Sequence, residues 1–190
     1  MTDERYFMEY SEAATRRATA GVQPCELPEA SLLRKYHGSD GYADCYCVEV
    51  AGSVSQAAFI EAFYTTTLFK MERFILEWLA SRPSTDIEAR HLANGTIASF
   101  AAWRVEGRSA DQLLLADVTG RTKSWLMAAP IEGSVDARTR LYFGSAVVPS
   151  VNAKTGERRM GFVFRALLGF HRLYSRMLLG SARSRLASGR

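Results

Sequence analysis

Between residues 99 and 148 four runs follow one another with links too short to hold a helix: SFAAWRVEGR (99–108), QLLLADV (112–118), TKSWLMAAPI (122–131) and RTRLYFGSAVV (138–148). In the first run Ala101, Trp103 and Val105 fall on one side and Arg104 and Glu106 on the other, the period-two alternation of a half-buried antiparallel strand. Consecutive strands joined by such links pair as an antiparallel meander, because a parallel connection needs a crossover of about a dozen residues or more.

Upstream, GYADCYCVEV (41–50) is rich in aromatic and β-branched residues and ends at the turn-like Ala51-Gly52-Ser53, which predicts the first core strand. Ser55 is placed to cap QAAFIEAFYTTTLFKMERFILEWLAS, where Phe59, Phe63, Leu68, Met71, Ile75 and Leu79 recur at roughly helical spacing. The run Thr65-Thr66-Thr67, poor in helix propensity, divides it into two short helices. Residues 1–38, with Pro24 and Pro28, show no sustained period and read as a partly helical lead-in draped over a single domain at 39–190. The polar stretch after Pro83 carries no assignment, 149–160 reads as a loop turning at Thr155-Gly156, and a long helix begins near Gly161.

In that helix Arg165, Arg172, Arg176 and Arg183 fall within roughly 40° of one another at about 100° per residue, a stripe expected to face solvent. Val163, Leu167, Phe170, Tyr174 and Leu178 form the opposite, apolar face, whose natural partner is the sheet. The fold class is therefore α+β. From Arg158 onward there are eight arginines and no acid, which leaves the preceding body slightly acidic within a net charge of +4. A basic face of this kind suits weak contact with an anionic membrane surface or an acidic partner, or plain solvation. It lacks the exposed base-stacking aromatics expected of a nucleic-acid binder, and no nucleic-acid partner is expected.

At 190 residues and 47 % hydrophobic the chain can bury one sizeable core. Its start, MTDERYFMEYSEAATRR, has no apolar signal-peptide core, and its apolar helical segments are broken by charges such as Lys70, Glu72, Arg73 and Glu77. A cytoplasmic location is expected. Cys25, Cys45 and Cys47 make no even disulfide framework, and His37, His91 and His171 are scattered, so reduced thiols, no metal and no cofactor are expected. No glycine-rich phosphate loop, no Gly-x-Ser-x-Gly elbow and no signature Cys/His pair is present.

The order of elements and the segments GYADCYCVEV, QLLLADVTGRTKSWLM, RLYFGSAVVP and GFHRLYSRMLL resemble the START-like (SRPBCC) superfamily that includes the birch-pollen-allergen proteins, in particular an uncharacterised bacterial branch. The likeness covers roughly residues 40 to 187. It implies a helix-grip fold, a curved antiparallel sheet wrapped around a long C-terminal helix, with an apolar cavity between them for a lipid, sterol, polyketide or similar molecule. Related bacterial sequences often carry a His and an Asp in the strand that here reads TGRTKSWLM, and this chain has neither.

Trp103, Trp125, Tyr142, Phe143, Phe170 and Tyr174 are the bulky groups able to line such a cavity, and ordinary core packing accounts for them equally well. Asp44 lies mid-strand on the face of Tyr42, Tyr46 and Val48, where a buried carboxylate needs a partner; it is either structurally paired or a ligand-orienting acid. His171, on the flank of the long helix, is either structural or an acid–base group at a pocket mouth. Lys123 and Arg121 stand at a strand end, solvated or facing an anionic head group. Three functions follow: a protein sheltering a small hydrophobic ligand, a cyclase- or hydratase-type enzyme moving a proton with Asp44 or His171, and a peripheral module using the basic helix. Asp44 and His171 sit on separate elements and are not expected to act as a catalytic pair.

Overall fold

The computed structural model describes residues 21–38, 41–69, 85–151, 158–159 and 162–189. The four-strand meander is present, and it becomes part of a larger sheet because the first core strand returns to its far end. Nine strands are described: β1 (Gln23–Pro24), β2 (Tyr42–Ala51), β3 (Ser99–Phe100), β4 (Trp103–Arg108), β5 (Gln112–Asp117), β6 (Thr122–Pro130), β7 (Arg138–Val147), β8 (Ser150–Val151) and β9 (Arg158–Arg159). Seven of them make one sheet in the order β1-β2-β7-β6-β5-β4-β3, with every pairing antiparallel. The remaining pair, β8 and β9, forms a separate small ladder inside the stretch expected to be a loop; the Thr155-Gly156 turn lies outside the described residues.

The run 99–108 is not one strand. It folds back at Ala101-Ala102, so that Phe100 pairs with Trp103. Ala101 takes φ 52° there, a left-handed conformation that a β-carbon disfavours and that alanine does not advertise in sequence. A register shift between Val105 and Gly107 then moves the rest of β4 against β5, as one extra residue in a bulge does.

Helices cover one face. In α1 (Gln56–Tyr64) the Ser55 side chain accepts from the Ala58 amide at 3.2 Å, which makes Ser55 the cap that the sequence predicts. The break at the threonines is also present. Thr65 Oγ1 donates back to the Glu61 carbonyl at 2.6 Å, and Thr66 Oγ1 accepts from the Phe69 amide at 3.2 Å as a new helical turn starts at Thr67. Met71, Ile75 and Leu79, expected in the second short helix, lie outside the described residues. A helix that the sequence reading leaves unassigned, α2 (Asp86–Ala93), packs beside α1. The long C-terminal helix α3 (Phe162–Ser188) lies across β2 and β7 and against α1.

Between these helices and the sheet the described side chains form the main core. Phe59, Phe63, Tyr64 and Phe69 from the α1 region meet Phe100, Leu126 and Phe143 of the sheet and Leu178, Leu179 and Ala182 of α3. The sheet's other face is covered by residues 25–36. Leu27 and Leu33 are buried there against Cys45, Leu114, Trp125 and Ala146. The described part of the lead-in thus contributes a short strand and a third layer. Gly144 makes this close approach feasible: a Cβ on it would stand 2.8 Å from Leu33 Cδ2 and 3.0 Å from both the Asp44 carbonyl and Trp125 Cε3.

Candidate functional site

Among the described residues we consider two places that combine placed polar groups with access from solvent. The first lies where α3 crosses β2 and β7. The ladder sets Asp44 opposite Ser145, and both side chains project toward α3. Ser145 Oγ is 2.6 Å from Asp44 Oδ1 and 2.7 Å from His171 Nε2, while His171 Nε2 stands 3.7 Å from Asp44 Oδ2. Tyr42 OH donates to Asp44 Oδ2 at 2.9 Å, and Arg172 Nε lies 3.3 Å from the Tyr42 hydroxyl. The two candidates that the sequence could not bring together are therefore joined through one serine.

The protons in this cluster follow from its donors. Burial alone would raise the Asp44 carboxyl, but the neighbouring His171 ring and the hydrogen bonds from Ser145 and Tyr42 outweigh it and hold the group below its ordinary value. An ionised carboxylate only accepts, so the single Ser145 proton goes to Asp44, and the serine oxygen is left to accept from His171 Nε2–H. This is not the order of a nucleophilic triad, in which the imidazole sits between acid and hydroxyl and removes the hydroxyl proton. Ser145 is 3 % exposed. Chemically the cluster is a clasp that ties α3 to the sheet, with one imidazole edge reaching solvent.

The second place is an open groove of about 810 Å³ along the C-terminal half of α3, between that helix, the chain just before β1 and the Thr66–Leu68 turn. Val22, Leu68 and Met177 give it apolar walls, Thr66, Thr67, Ser181 and Ser184 give it hydroxyls, and Arg183 and Arg185 stand along it as cations. No sequence signal marked it, since its walls come from three segments far apart in the chain.

The remaining expected site residues are dispersed. Trp125 and Tyr142 are on the opposite face, their ring centroids 6.1 Å apart. Trp125 Nε1 donates to Gln112 Oε1 at 2.9 Å, and the same oxygen accepts from the Leu32 amide, so this tryptophan anchors the N-terminal layer. Phe143 is packed in the main core, 4.8 Å from the Phe63 ring centroid. Trp103 packs at the core's margin, and its buried indole N–H has no hydrogen-bond partner among the described residues.

The helix is rotated from the expected facing. Ser175, Leu178, Leu179 and Ala182 form its buried seam, with His171 one turn earlier, whereas Phe170 is 66 % exposed. Phe170 stacks on the half-buried Tyr174 instead of entering the core. Nor is the arginine stripe simply solvated. Arg172 reaches Tyr42, Arg176 Nη2 lies 3.3 Å from the Val22 carbonyl, and Arg183 borders the groove; the side chains of Arg165, Val163 and Leu167 lie outside the described residues. Lys123 is 5 % exposed on the face opposite the helices and bonds Glu106 at 2.5 Å.

Among the described residues no group of three or more His, Cys, Asp or Glu is arranged to hold a metal ion, and no helix is long and apolar enough to cross a membrane. Searches against protein-family models and against curated proteins find no match.

Proposed function

We propose that this protein is a cytoplasmic START-like binding protein of helix-grip type that shelters a small amphipathic molecule, its apolar part against Val22, Leu68 and Met177 and its anionic end toward Arg183 and Arg185. The observation that carries this reading is the groove. Its volume of about 810 Å³ lies within the range of roughly 300–1,000 Å³ usual for small-molecule sites, and its apolar walls with a few polar groups match their usual lining. This reading places the ligand on the outer flank of the helix, where the groove lies, and not in the sheet–helix cavity that the sequence resemblance implies; aromatic side chains pack between helices and sheet among the described residues.

The test is titration with a fatty acid and with a neutral apolar dye. Both are expected to bind with a Kd of about micromolar order. Ser181→Trp, which fills the groove, should weaken both by tenfold or more. Arg185→Glu should weaken only the fatty acid, by up to about fivefold, the scale of an exposed ion pair. Unchanged binding in Ser181→Trp would sink the proposal.

A cyclase- or hydratase-type enzyme is the second reading, favoured by the convergence of Asp44 and His171 on Ser145. It ranks below the first because Asp44 holds the serine proton and the serine is buried. Loss of a turnover in His171→Gln with ligand affinity retained would promote it.

A further inference from the structure

Cys25 directly follows β1 and stands opposite Cys45. The register that pairs Gln23 with Cys47 and Pro24 with Tyr46 continues by one residue, and the Cys25 amide donates to the Cys45 carbonyl at 3.0 Å. Their sulfurs are 3.3 Å apart. Directly opposed residues of antiparallel strands have Cα atoms about 4.5–5.5 Å apart, inside the range of about 4.4–6.8 Å that a disulfide spans. The Cβ atoms of directly opposed residues stand about 4.5–5.5 Å apart and those of a disulfide about 3.5–4.5 Å, so closing the bond asks for side-chain rotation and a small approach of the two strands. Cys45 and Cys47 are buried and Cys25 is half-buried, and all three are free thiols. Cys25 is thus the sulfur that a small reagent in solution reaches first.

We propose that Cys25 and Cys45 form a reversible disulfide that staples the N-terminal segment to β2. The Cys25 thiolate attacks one sulfur of a low-molecular-weight disulfide such as oxidised glutathione, breaking its S–S bond and releasing one thiol. Cys45, its proton passed to solvent, then attacks Cys25 Sγ and expels the second thiol. Two protein thiols are oxidised to one disulfide, and one small disulfide is reduced to two thiols. The staple holds the chain just after Val22, which walls the groove and whose carbonyl lies beside Arg176; any effect on a bound ligand rests on the function proposed above.

The sulfur contact with Cys45, assisted by burial, pushes the Cys25 thiol up to about 12. The thiolate is the attacking form, so exchange is slow near neutrality and quickens by about tenfold for each unit by which the pH rises toward that value.

The experiment incubates the native full chain with oxidised glutathione at about pH 7.5 and about pH 8.5, the step over which the thiolate fraction rises about tenfold. It follows thiol titre, intact mass and the disulfide linkage in non-reduced peptides. The titre is expected to fall from three to one, with Cys25 joined to Cys45, a rate about tenfold higher at the upper pH, and full reversal by dithiothreitol. Cys47→Ser should form the same bond, and Cys25→Ser should form none. Overturning results are a Cys47→Ser chain that keeps both remaining thiols, a mixed glutathione disulfide at Cys25 that never resolves, or a link from Cys25 to Cys47 in the wild type. Peptide mapping reads the bond itself, whatever the groove binds, so a failed disulfide and a failed ligand reading are separable.

Discussion

Asp44 would be an anomaly in mid-strand if its neighbours did not supply two donors and an imidazole beside it. Its carboxylate takes hydrogen bonds from Ser145 and Tyr42 and lies beside His171, so the charge that burial penalises is held by groups on β2, β7 and α3 together. Asp44→Asn is expected to lower stability by about 1–3 kcal/mol, because it replaces a charge-assisted acceptor and leaves its donors mismatched. His171→Gln should cost about 1 kcal/mol, the net value of one hydrogen bond, whereas a histidine on a helix flank would be nearly neutral. Urea unfolding of both variants measures this, and a His171→Gln chain as stable as wild type would show that the clasp contributes nothing to docking α3.

Elements differ in how openly the sequence declares them. The break of α1 at Thr65–Thr66 and the cap at Ser55 were legible because local side-chain to backbone bonds produce them. The sheet's strands were legible from their apolar runs and short links. Three features were not. The Ala101 reversal uses a residue without turn preference. The facing of α3 was ambiguous because apolar residues cover so much of its circumference that Phe170 and Leu178 looked equivalent. The split of aromatics between sheet faces, which sends Trp125 away from Phe143, follows strand parity but has meaning only once the N-terminal layer is known to cover the second face.

The helix α2, by contrast, did carry a local signal. Thr85 Oγ1 accepts from the Glu88 amide at 3.2 Å and Glu88 Oε2 accepts from the Thr85 amide at 2.7 Å, a reciprocal box readable from Thr-x-x-Glu. Thr85→Ala should therefore destabilise the protein by about 1 kcal/mol, with Thr85→Ser recovering most of it. Thermal unfolding of the pair provides the check, and equal loss in both variants would mean that the hydroxyl cap is not the cause.

On the scale of the whole molecule the described structure is three layers, and the outer one is fastened by polar groups as well as by Leu27 and Leu33. Gln112 Nε2 donates to the Ala30 carbonyl while its Oε1 receives the Leu32 amide and Trp125 Nε1. Glu106 takes Lys35 at 2.6 Å and the Tyr36 hydroxyl from the outer layer, together with the buried Lys123 from the sheet. Burial would raise the Glu106 carboxyl, but hydrogen bonds from Lys123, Lys35 and Tyr36 dominate and bring it down to about 2 from 4.5. Its folded value lies below its unfolded one, so the unfolded chain binds more protons as acid is added. The contribution is complete above about pH 4.5 and is lost as pH falls toward about 2. The shift alone would correspond to about 3 kcal/mol. Water at one edge of the carboxylate screens part of it, which leaves about 1–2 kcal/mol. Glu106→Gln should accordingly be less stable than wild type at neutral pH, with a gap in urea-unfolding free energy that narrows by that amount between about pH 4.5 and about pH 2. Asp44, also held below its ordinary value, remains in both proteins, so its own acid sensitivity cancels in the difference. A gap that stays constant across this range would mean that the Glu106 charge does not hold the N-terminal layer to the sheet.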